Sequence, residues 1–151
     1  MAACRIASRL RALRPDRRSY ATIIGLTAYG LGIAIAGLLR ADPAEGFPLG
    51  TPAGPPVVVT ASGVGHLVAG GISFLGLIVA CVACGRRSAQ AGDRAWAACS
   101  AAIGVYYLVA FAGIASETAS PAINIAFTIA VALGWAWLTA LYVRALKGRA
   151  R

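Results

Sequence analysis

Charged side chains are scarce in this sequence, and acidic ones are the scarcest. Asp, Glu, Lys and Arg make up 13% of the 151 residues, and only 5 of these residues are acidic. An ordinary soluble domain has about 25% charged residues. Hydrophobic residues account for 59% of the chain, and the mean hydropathy is +0.75. This composition argues against a water-soluble globule and against a disordered chain.

Residues and motifs typical of enzymes are also few. The chain has 1 His and 4 Cys, which is a thin basis for a metal or haem site and does not predict a disulfide scaffold. It contains no Walker loop, no Gly-x-Ser-x-Gly and no His-Glu-x-x-His motif. We therefore assign no catalytic, cofactor-binding or metal-ligating residue, and the sequence favours a non-enzymatic protein without deciding the point.

Long stretches of the sequence lack charged residues altogether. A helix of about 20 residues, at about 1.5 Å per residue, crosses the roughly 30 Å hydrocarbon core of a bilayer. The stretches are apolar on all sides rather than alternating, which excludes barrel strands. The predicted fold is therefore all-α, a polytopic transmembrane bundle of four helices, with spans near 20–39, 63–84, 95–115 and 122–143.

Basic residues are concentrated on one side of this predicted bundle. Of the 14 Lys and Arg residues, only Arg40 lies on the opposite side. Because Lys and Arg next to a span resist translocation, we expect both termini in the cytoplasm. The same rule accounts for the net charge of +9 without nucleic-acid binding. The predicted parts are a basic cytoplasmic arm (1–19), a transmembrane domain (20–143) with an outer loop (40–62), and a basic cytoplasmic tail (144–151).

An arginine-rich arm before an apolar stretch is also typical of a cleaved targeting signal. Here the apolar run exceeds the roughly 7–15 residues of a signal peptide, and Leu39-Arg40-Ala41 is a poor cleavage site. We therefore expect the first span to be retained. The abundance of Ala, Gly and Arg suggests a bacterial source, so the predicted location is the bacterial plasma membrane.

Small residues recur at a spacing of four in three of the predicted spans. Helices in lipid associate through close backbone approach, because lipid is as apolar as the side chains. The spacing places each set on one helix face, but it does not distinguish packing within one chain from a homo-oligomer. The sets are Ala28, Gly32 and Ala36; Gly65, Ala69 and Ser73; and Ala122, Ala126, Ala130 and Gly134.

Two further groups of side chains lie inside the predicted spans. Cys81 and Cys84 form a Cys-x-x-Cys at the C-terminal end of a span. The helix dipole opposes a thiolate there, so packing is favoured over redox catalysis. Tyr29, Tyr106 and Tyr107 lie near the midplane, where hydroxyls need partners. A hydrogen bond between tyrosines of the first and third spans is one expected solution. A buried ligand pocket is the alternative role of these tyrosines, and ordinary core packing is favoured over it.

The outer loop is rich in proline and glycine, so it cannot be helical. It carries Asp42 and Glu45 as well as Arg40. The segment Gly37-Leu38-Leu39-Arg40-Ala41-Asp42-Pro43, followed by this stretch and then by Gly65-His66 at the start of a span, resembles the DUF998 family of integral membrane proteins of unknown function.

The resemblance covers residues 20–146, and its motifs are moderately specific. It implies a helical membrane protein and no established activity. Members of the family generally have two more spans than this chain, which resembles their last four. The chain also departs from the family in having Ser116-Glu117-Thr118, without an Arg, in the short connection before the last span.

The candidate site is a polar cluster on the outer side of the bundle. His66 lies about one turn inside the second span, and ionisable residues within a membrane are candidates for function. Together with Asp42 or Glu117 it would bind a metal, relay a proton or contact a lipid head group. The alternative is structural, with Asp42 holding the loop against the helix end. The members of the cluster are Arg40, Asp42, His66 and Glu117.

The favoured function is a non-enzymatic structural or lipid-interacting membrane component. Its expected partner is the lipid bilayer, and homo-oligomerisation is left open. A small transporter or channel component is the second interpretation, with the same cluster around an outer vestibule. A membrane enzyme or metal binder that uses His66 and the nearby carboxylates is the third.

Overall fold

The computed structural model describes residues 17–116 and 120–149. Within them lie four helices, α1 (Arg17–Leu38), α2 (Ala61–Gln90), α3 (Arg94–Ala115) and α4 (Pro121–Arg149). All four are long and apolar enough to cross a membrane. The predicted all-α transmembrane fold is therefore confirmed. Most of the basic arm, residues 1–16, and the candidate residue Glu117 lie outside the described residues.

Side-chain caps set the starts of two helices. Thr60 precedes α2, and its Oγ1 accepts a hydrogen bond of 3.0 Å from the Gly63 N–H. Asp93 precedes α3 and accepts one of 3.1 Å from the Trp96 N–H. Each cap satisfies an N–H group that has no partner inside its helix. The ends of the bundle are named here by their connections: the loop end holds residues 39–60, and the basic end holds residues 86–94.

Helices that follow one another in the chain pack together, and α1 packs chiefly against α2. The contact between α1 and α2 is backbone to backbone. A Cβ atom added to Gly32 would lie 2.6 Å from the carbonyl oxygen of Ala69, and one added to Gly76 would lie 2.6 Å from that of Gly25. Hydrogen atoms at these glycines are what allow the helices to approach so closely. The predicted small-residue faces of the first two spans therefore meet.

The core lies where α2, α3 and α4 converge. Leu77, Tyr107, Ala130 and Trp137 are all buried in it. Gly134 faces the same cluster, since a Cβ there would lie 3.0 Å from side-chain carbons of Leu77 and Tyr107. The small-residue face of α4 is thus buried at Ala130 and Gly134.

Two of the three tyrosines near the midplane find their hydrogen-bond partners on α4. The Tyr29 hydroxyl accepts a hydrogen bond of 2.8 Å from Trp135 Nε1, and the Tyr106 hydroxyl donates one of 3.2 Å to the Ala126 carbonyl. A hydrogen bond between tyrosines of the first and third spans is therefore not how these two hydroxyls are satisfied. The Tyr107 hydroxyl is buried and has no partner within the described part of the chain.

The Cys-x-x-Cys lies inside α2, which continues past it to Gln90. Cys81 and Cys84 are buried and free, and Cys99 on α3 is free and exposed. A Cβ added to Gly104 would lie 3.0 Å from the Cβ of Cys81. These contacts are those of small packing residues, as the sequence indicates.

Candidate functional site

Asp42 ties the loop to the start of α2. Its Oδ2 accepts a hydrogen bond of 2.8 Å from the Thr60 N–H, and its Oδ1 accepts one of 2.6 Å from the Thr60 hydroxyl. These hydrogen bonds stabilise the charged carboxylate and lower the pKa of Asp42 from its ordinary value. The Thr60 hydroxyl in turn caps α2 through Gly63, so one carboxylate organises the whole helix start.

Gly63 leaves room for this carboxylate. A Cβ atom at position 63 would lie 2.0 Å from Asp42 Oδ2, a distance that no side chain tolerates. A second tie lies beside the first. The Arg40 N–H donates a hydrogen bond of 2.8 Å to Ser62 Oγ, and that hydroxyl donates one of 3.0 Å back to the Arg40 carbonyl. The beginning of the loop is therefore fixed at two points to the start of α2.

His66 closes the C-terminal end of α1. Its Nδ1 lies 2.9 Å from the carbonyl oxygen of Ala36 and 3.2 Å from that of Leu39. Carbonyl oxygens only accept hydrogen bonds, so Nδ1 carries the proton. The Ala36 carbonyl also accepts a hydrogen bond of 3.2 Å from the Leu39 N–H, so His66 adds a side-chain donor to the carbonyls at the end of α1. The second ring nitrogen, Nε2, has no hydrogen-bond partner among the described residues.

The members of the predicted cluster are thus held by different partners. Asp42 binds Thr60, His66 binds the end of α1, and Arg40 is held through its backbone. No group of three or more His, Cys, Asp or Glu residues that could hold a metal ion occurs in the described ranges. The hydrogen bonds of Asp42 are those that the structural alternative requires.

A cavity of about 430 Å³ lies beside His66, between the ends of all four helices. Its wall includes Gly37 of α1, Leu67 and Gly70 of α2, and Phe111 of α3. Leu67 is 72% exposed, so the cavity opens sideways, between the helices. We call it the interhelical cavity. Nothing in the spacing of apolar residues indicated it, because it results from missing side chains at glycines.

A second cavity of about 370 Å³ lies next to it, under the loop. Leu67, Phe111 and Ile114 line both cavities. The loop contributes Glu45 and the Pro55-Pro56 pair, so we call it the rim cavity. The outer loop therefore forms a partial roof, and Glu45 is the charged residue of that roof. Its position in a Glu-Gly pair between prolines is the sequence signal for a turn.

The basic end is held together by a polar and aromatic cluster that the sequence did not single out. The Asp93 carboxylate pairs with Arg144 of α4. The Arg144 guanidinium lies over the Trp96 ring, 4.7 Å from its centre, and that ring stacks on Trp137. Trp137 Nε1 donates a hydrogen bond of 3.0 Å to the buried hydroxyl of Ser100. The cluster joins α3 to α4, and it closes the bundle opposite the two cavities.

The comparisons with known proteins give one match. The model of the family described as a protein of unknown function, DUF998, matches residues 1–144, which is most of the chain. No curated protein and no solved structure matches this chain.

Proposed function

We propose that this chain, which belongs to the DUF998 family, is a non-enzymatic, lipid-interacting membrane protein that holds the hydrocarbon chain of a lipid in its interhelical cavity. The observation that carries the proposal is an apolar cavity of about 430 Å³ among four helices that can cross a membrane. Ligand cavities have volumes of about 300–1,000 Å³. In a bilayer, what lies next to a sideways opening at this depth is lipid.

Gly70 shows how open this cavity is. The residue is buried, yet a Cβ atom added to it would meet no heavy atom within 4 Å. Protein interiors are otherwise close-packed, and atoms that line a void lose dispersion contacts. A hydrocarbon chain that enters beside Gly70 restores those contacts without breaking any hydrogen bond.

Buried side chains in the middle of the bundle favour lipid binding over transport. Between the cavities and the basic end stand Leu77, Tyr107 and Trp137, which are 0%, 1% and 2% exposed. A transporter component needs a route past these buried side chains. Proton-coupled flux into liposomes that is lost in His66→Ala would favour that alternative.

The test is a substitution that fills the interhelical cavity with a larger side chain from α2. Gly70→Leu places a side chain in the interhelical cavity, and Gly30→Leu is the control, because Gly30 is exposed and a Cβ there also meets nothing within 4 Å. The protein is reconstituted with a nitroxide chain-labelled phospholipid, and the immobilised fraction is measured by electron paramagnetic resonance. Lipid against the outer faces of the helices is immobilised in every variant, so we expect Gly70→Leu to lose the part of this fraction that the cavity holds and Gly30→Leu to keep it.

A second cavity-filling variant controls for misfolding of the first. Gly37→Leu fills the cavity from α1, at another position where a Cβ meets no neighbour. Each variant is first checked for thermal unfolding in detergent. If a folded Gly70→Leu or Gly37→Leu protein immobilises as much lipid as the wild type, the cavity holds no lipid chain and the proposal is wrong.

A further inference from the structure

We infer that Phe74 determines the length of hydrocarbon chain that the interhelical cavity accepts, and that the preferred chain has about ten carbons. The inference rests on the proposed lipid binding and goes further, because it assigns the inner end of the cavity and the class of lipid chain that fits it. It follows from where the walls of the cavity end and from the aromatic rings that meet there.

Phe74 is the innermost α2 residue of the cavity wall. The helix α2 starts at the loop end and runs toward the basic end. The α2 residues that line the cavity begin at His66 and end at Phe74. Leu77, about one turn further along α2, is 0% exposed and belongs to the packed core. The cavity therefore ends at Phe74, where the core begins.

Three further aromatic rings surround Phe74 and close this end of the cavity. The centre of the Phe74 ring lies 5.2 Å from that of Phe127 on α4. On α3, the ring of Phe111 lies 5.4 Å away and the ring of Tyr107 lies 5.7 Å away. Tilted and edge-to-face contacts at such distances are favourable for aromatic pairs. Three helices thus hold Phe74 in place, and we call these four residues the aromatic floor.

The depth of the cavity follows from helix geometry. On α2 the cavity wall runs from His66 to Phe74, which is about 12 Å along the axis at about 1.5 Å per residue. An extended hydrocarbon chain, with bonds of about 1.5 Å and bond angles near 111°, advances about 1.25 Å per carbon, so about ten carbons fill this depth. One leaflet of the hydrocarbon core is about 15 Å thick. A chain that reaches the bilayer midplane is therefore longer than the cavity.

A floor at a fixed depth discriminates against both shorter and longer chains. A shorter chain leaves empty space above Phe74, and atoms that line a void lose dispersion contacts. A longer chain has to bend out of the cavity or push the Phe74 ring away from its aromatic neighbours, and overpacking of that kind is unfavourable. Because the cavity opens sideways beside the exposed Leu67, a longer chain has a way out. The expected effect is therefore a preference and not a strict limit.

The test measures which chains compete for the cavity. The cavity-held fraction is defined as the part of the immobilised spin-labelled lipid that is lost in Gly70→Leu. Phosphatidylcholines with two identical chains of eight to sixteen carbons are added in small amounts to vesicles of eighteen-carbon phosphatidylcholine that contain the protein. Electron paramagnetic resonance then measures how much of the cavity-held fraction each displaces. In the wild type, we expect ten-carbon chains to compete about five-fold more effectively than sixteen-carbon chains.

Two variants lower the aromatic floor by different amounts. Phe74→Ala removes the ring, and we expect the best competitor to become longer, with about twelve to fourteen carbons. Phe74→Leu removes less of the side chain and keeps it apolar, so it is expected to shift the optimum less in the same direction. It also decides the question if Phe74→Ala does not fold, which thermal unfolding in detergent shows.

Phe47→Ala is the matched control. It is the same substitution at a phenylalanine in the loop, where the side chain is 78% exposed and lines neither cavity. Loss of this ring leaves the depth of the interhelical cavity as it is. We therefore expect the chain-length preference of this variant to equal that of the wild type.

The outcomes separate the two proposals. If Gly70→Leu loses the cavity-held fraction but all chain lengths displace it equally, the lipid site stands and the assigned role of Phe74 is wrong. The role is also wrong if the best competitor has the same length in the wild type and in a folded Phe74→Ala or Phe74→Leu protein. If neither folded Gly70→Leu nor folded Gly37→Leu loses any immobilised lipid, the lipid-binding proposal itself fails.

Discussion

Asp42 shows how a single carboxylate fixes the loop end of the molecule. It accepts two hydrogen bonds from Thr60 and lies against the hydrogen atoms of Gly63. Because Thr60 also caps α2, the loop and the helix start depend on the same charge. The group lies outside the membrane-crossing part of the bundle, so the aqueous pH reaches it.

The first prediction concerns acid stability. The folded protein holds the pKa of Asp42 below its ordinary value of 3.8. The stabilisation is therefore complete above the unfolded pKa and is lost as the pH falls through the lower pKa of the folded state. We expect the melting temperature of the wild type to fall toward that of Asp42→Asn as the pH drops below about 4. Thermal unfolding in detergent, followed by circular dichroism across a pH series, measures this convergence.

The matched control is Glu45→Gln, which removes the other loop carboxylate. Glu45 makes no ion pair among the described residues, so we expect the Glu45→Gln variant to show the same convergence with Asp42→Asn as the wild type. A wild-type protein whose stability relative to Asp42→Asn stays constant down to low pH would contradict the assigned role of the Thr60 hydrogen bonds.

The sequence indicated some residues of the candidate site at the loop end and gave no signal for others. The loop strings that contain Asp42 and His66 stood out because polar groups are rare in the chain, and both residues make hydrogen bonds that join loop and helices. Glu45 was visible only as a loop charge, since its place in the roof of the rim cavity depends on a turn with two positive φ angles. Gly70 gave no signal, because a cavity is defined by neighbours that sequence alone does not reveal.

At the scale of helices, α1 and α2 form the closest pair in the bundle. Their contact is made by Gly25 and Gly32 on α1 and by Gly76 on α2. Ser73 adds a hydrogen bond of 3.1 Å from its hydroxyl to the Tyr29 carbonyl. Since lipid offers no hydrophobic gain for helix association, this close packing is what holds α1 to the rest of the bundle.

The second prediction tests this helix contact. Gly32→Ala places a Cβ 2.6 Å from the Ala69 carbonyl oxygen and 2.7 Å from the Ser73 Cβ. Backbone atoms cannot yield locally, so the helices must separate, and overpacking of this kind costs about 1–3 kcal/mol of unfolding free energy. Chemical unfolding in mixed micelles, followed by circular dichroism, gives the free energy.

Gly30→Ala is the control on the same helix, because a Cβ there meets nothing within 4 Å. Alanine has a higher helix propensity than glycine, so we expect no loss of stability or a gain of up to about 1 kcal/mol. Equal stability of the Gly32 and Gly30 variants would show that α1 does not depend on the close contact.

The packing faces of α1 and α2 were easier to predict from the sequence than the contacts of α4. The spacing of small residues predicted one face on α1 that holds Gly32 and one on α2 that holds Ala69 and Ser73, and the structure packs these two faces against each other. The contacts of α4 were not predictable in this way. They use long side chains, such as Trp135 reaching Tyr29 and Trp137 reaching Ser100, and a long side chain leaves its target undetermined in the sequence.

For the whole molecule, the two ends differ in charge and in chemistry. Among the described residues, the loop end carries a single basic residue, Arg40, and the two acidic residues of the loop. The basic end carries the charged termini of α2, α3 and α4, and one of its arginines pairs with Asp93. We propose that the basic end faces the cytoplasm, so that the cavities open into the outer leaflet of a bacterial plasma membrane.

The third prediction tests this orientation. Alkaline phosphatase is active only after export, so a fusion after Arg151 is expected to be inactive, while an insertion after Gly50 in the loop is expected to be active. The physical cause is tested by changing Arg86, Arg87 and Arg94 to Gln and adding lysines beside Gly50. This shifts the basic residues toward the loop side and is expected to give a mixed orientation, because Lys and Arg flanking a span set its direction. An active fusion at Arg151 in the unmodified protein would place the cavities in the inner leaflet instead.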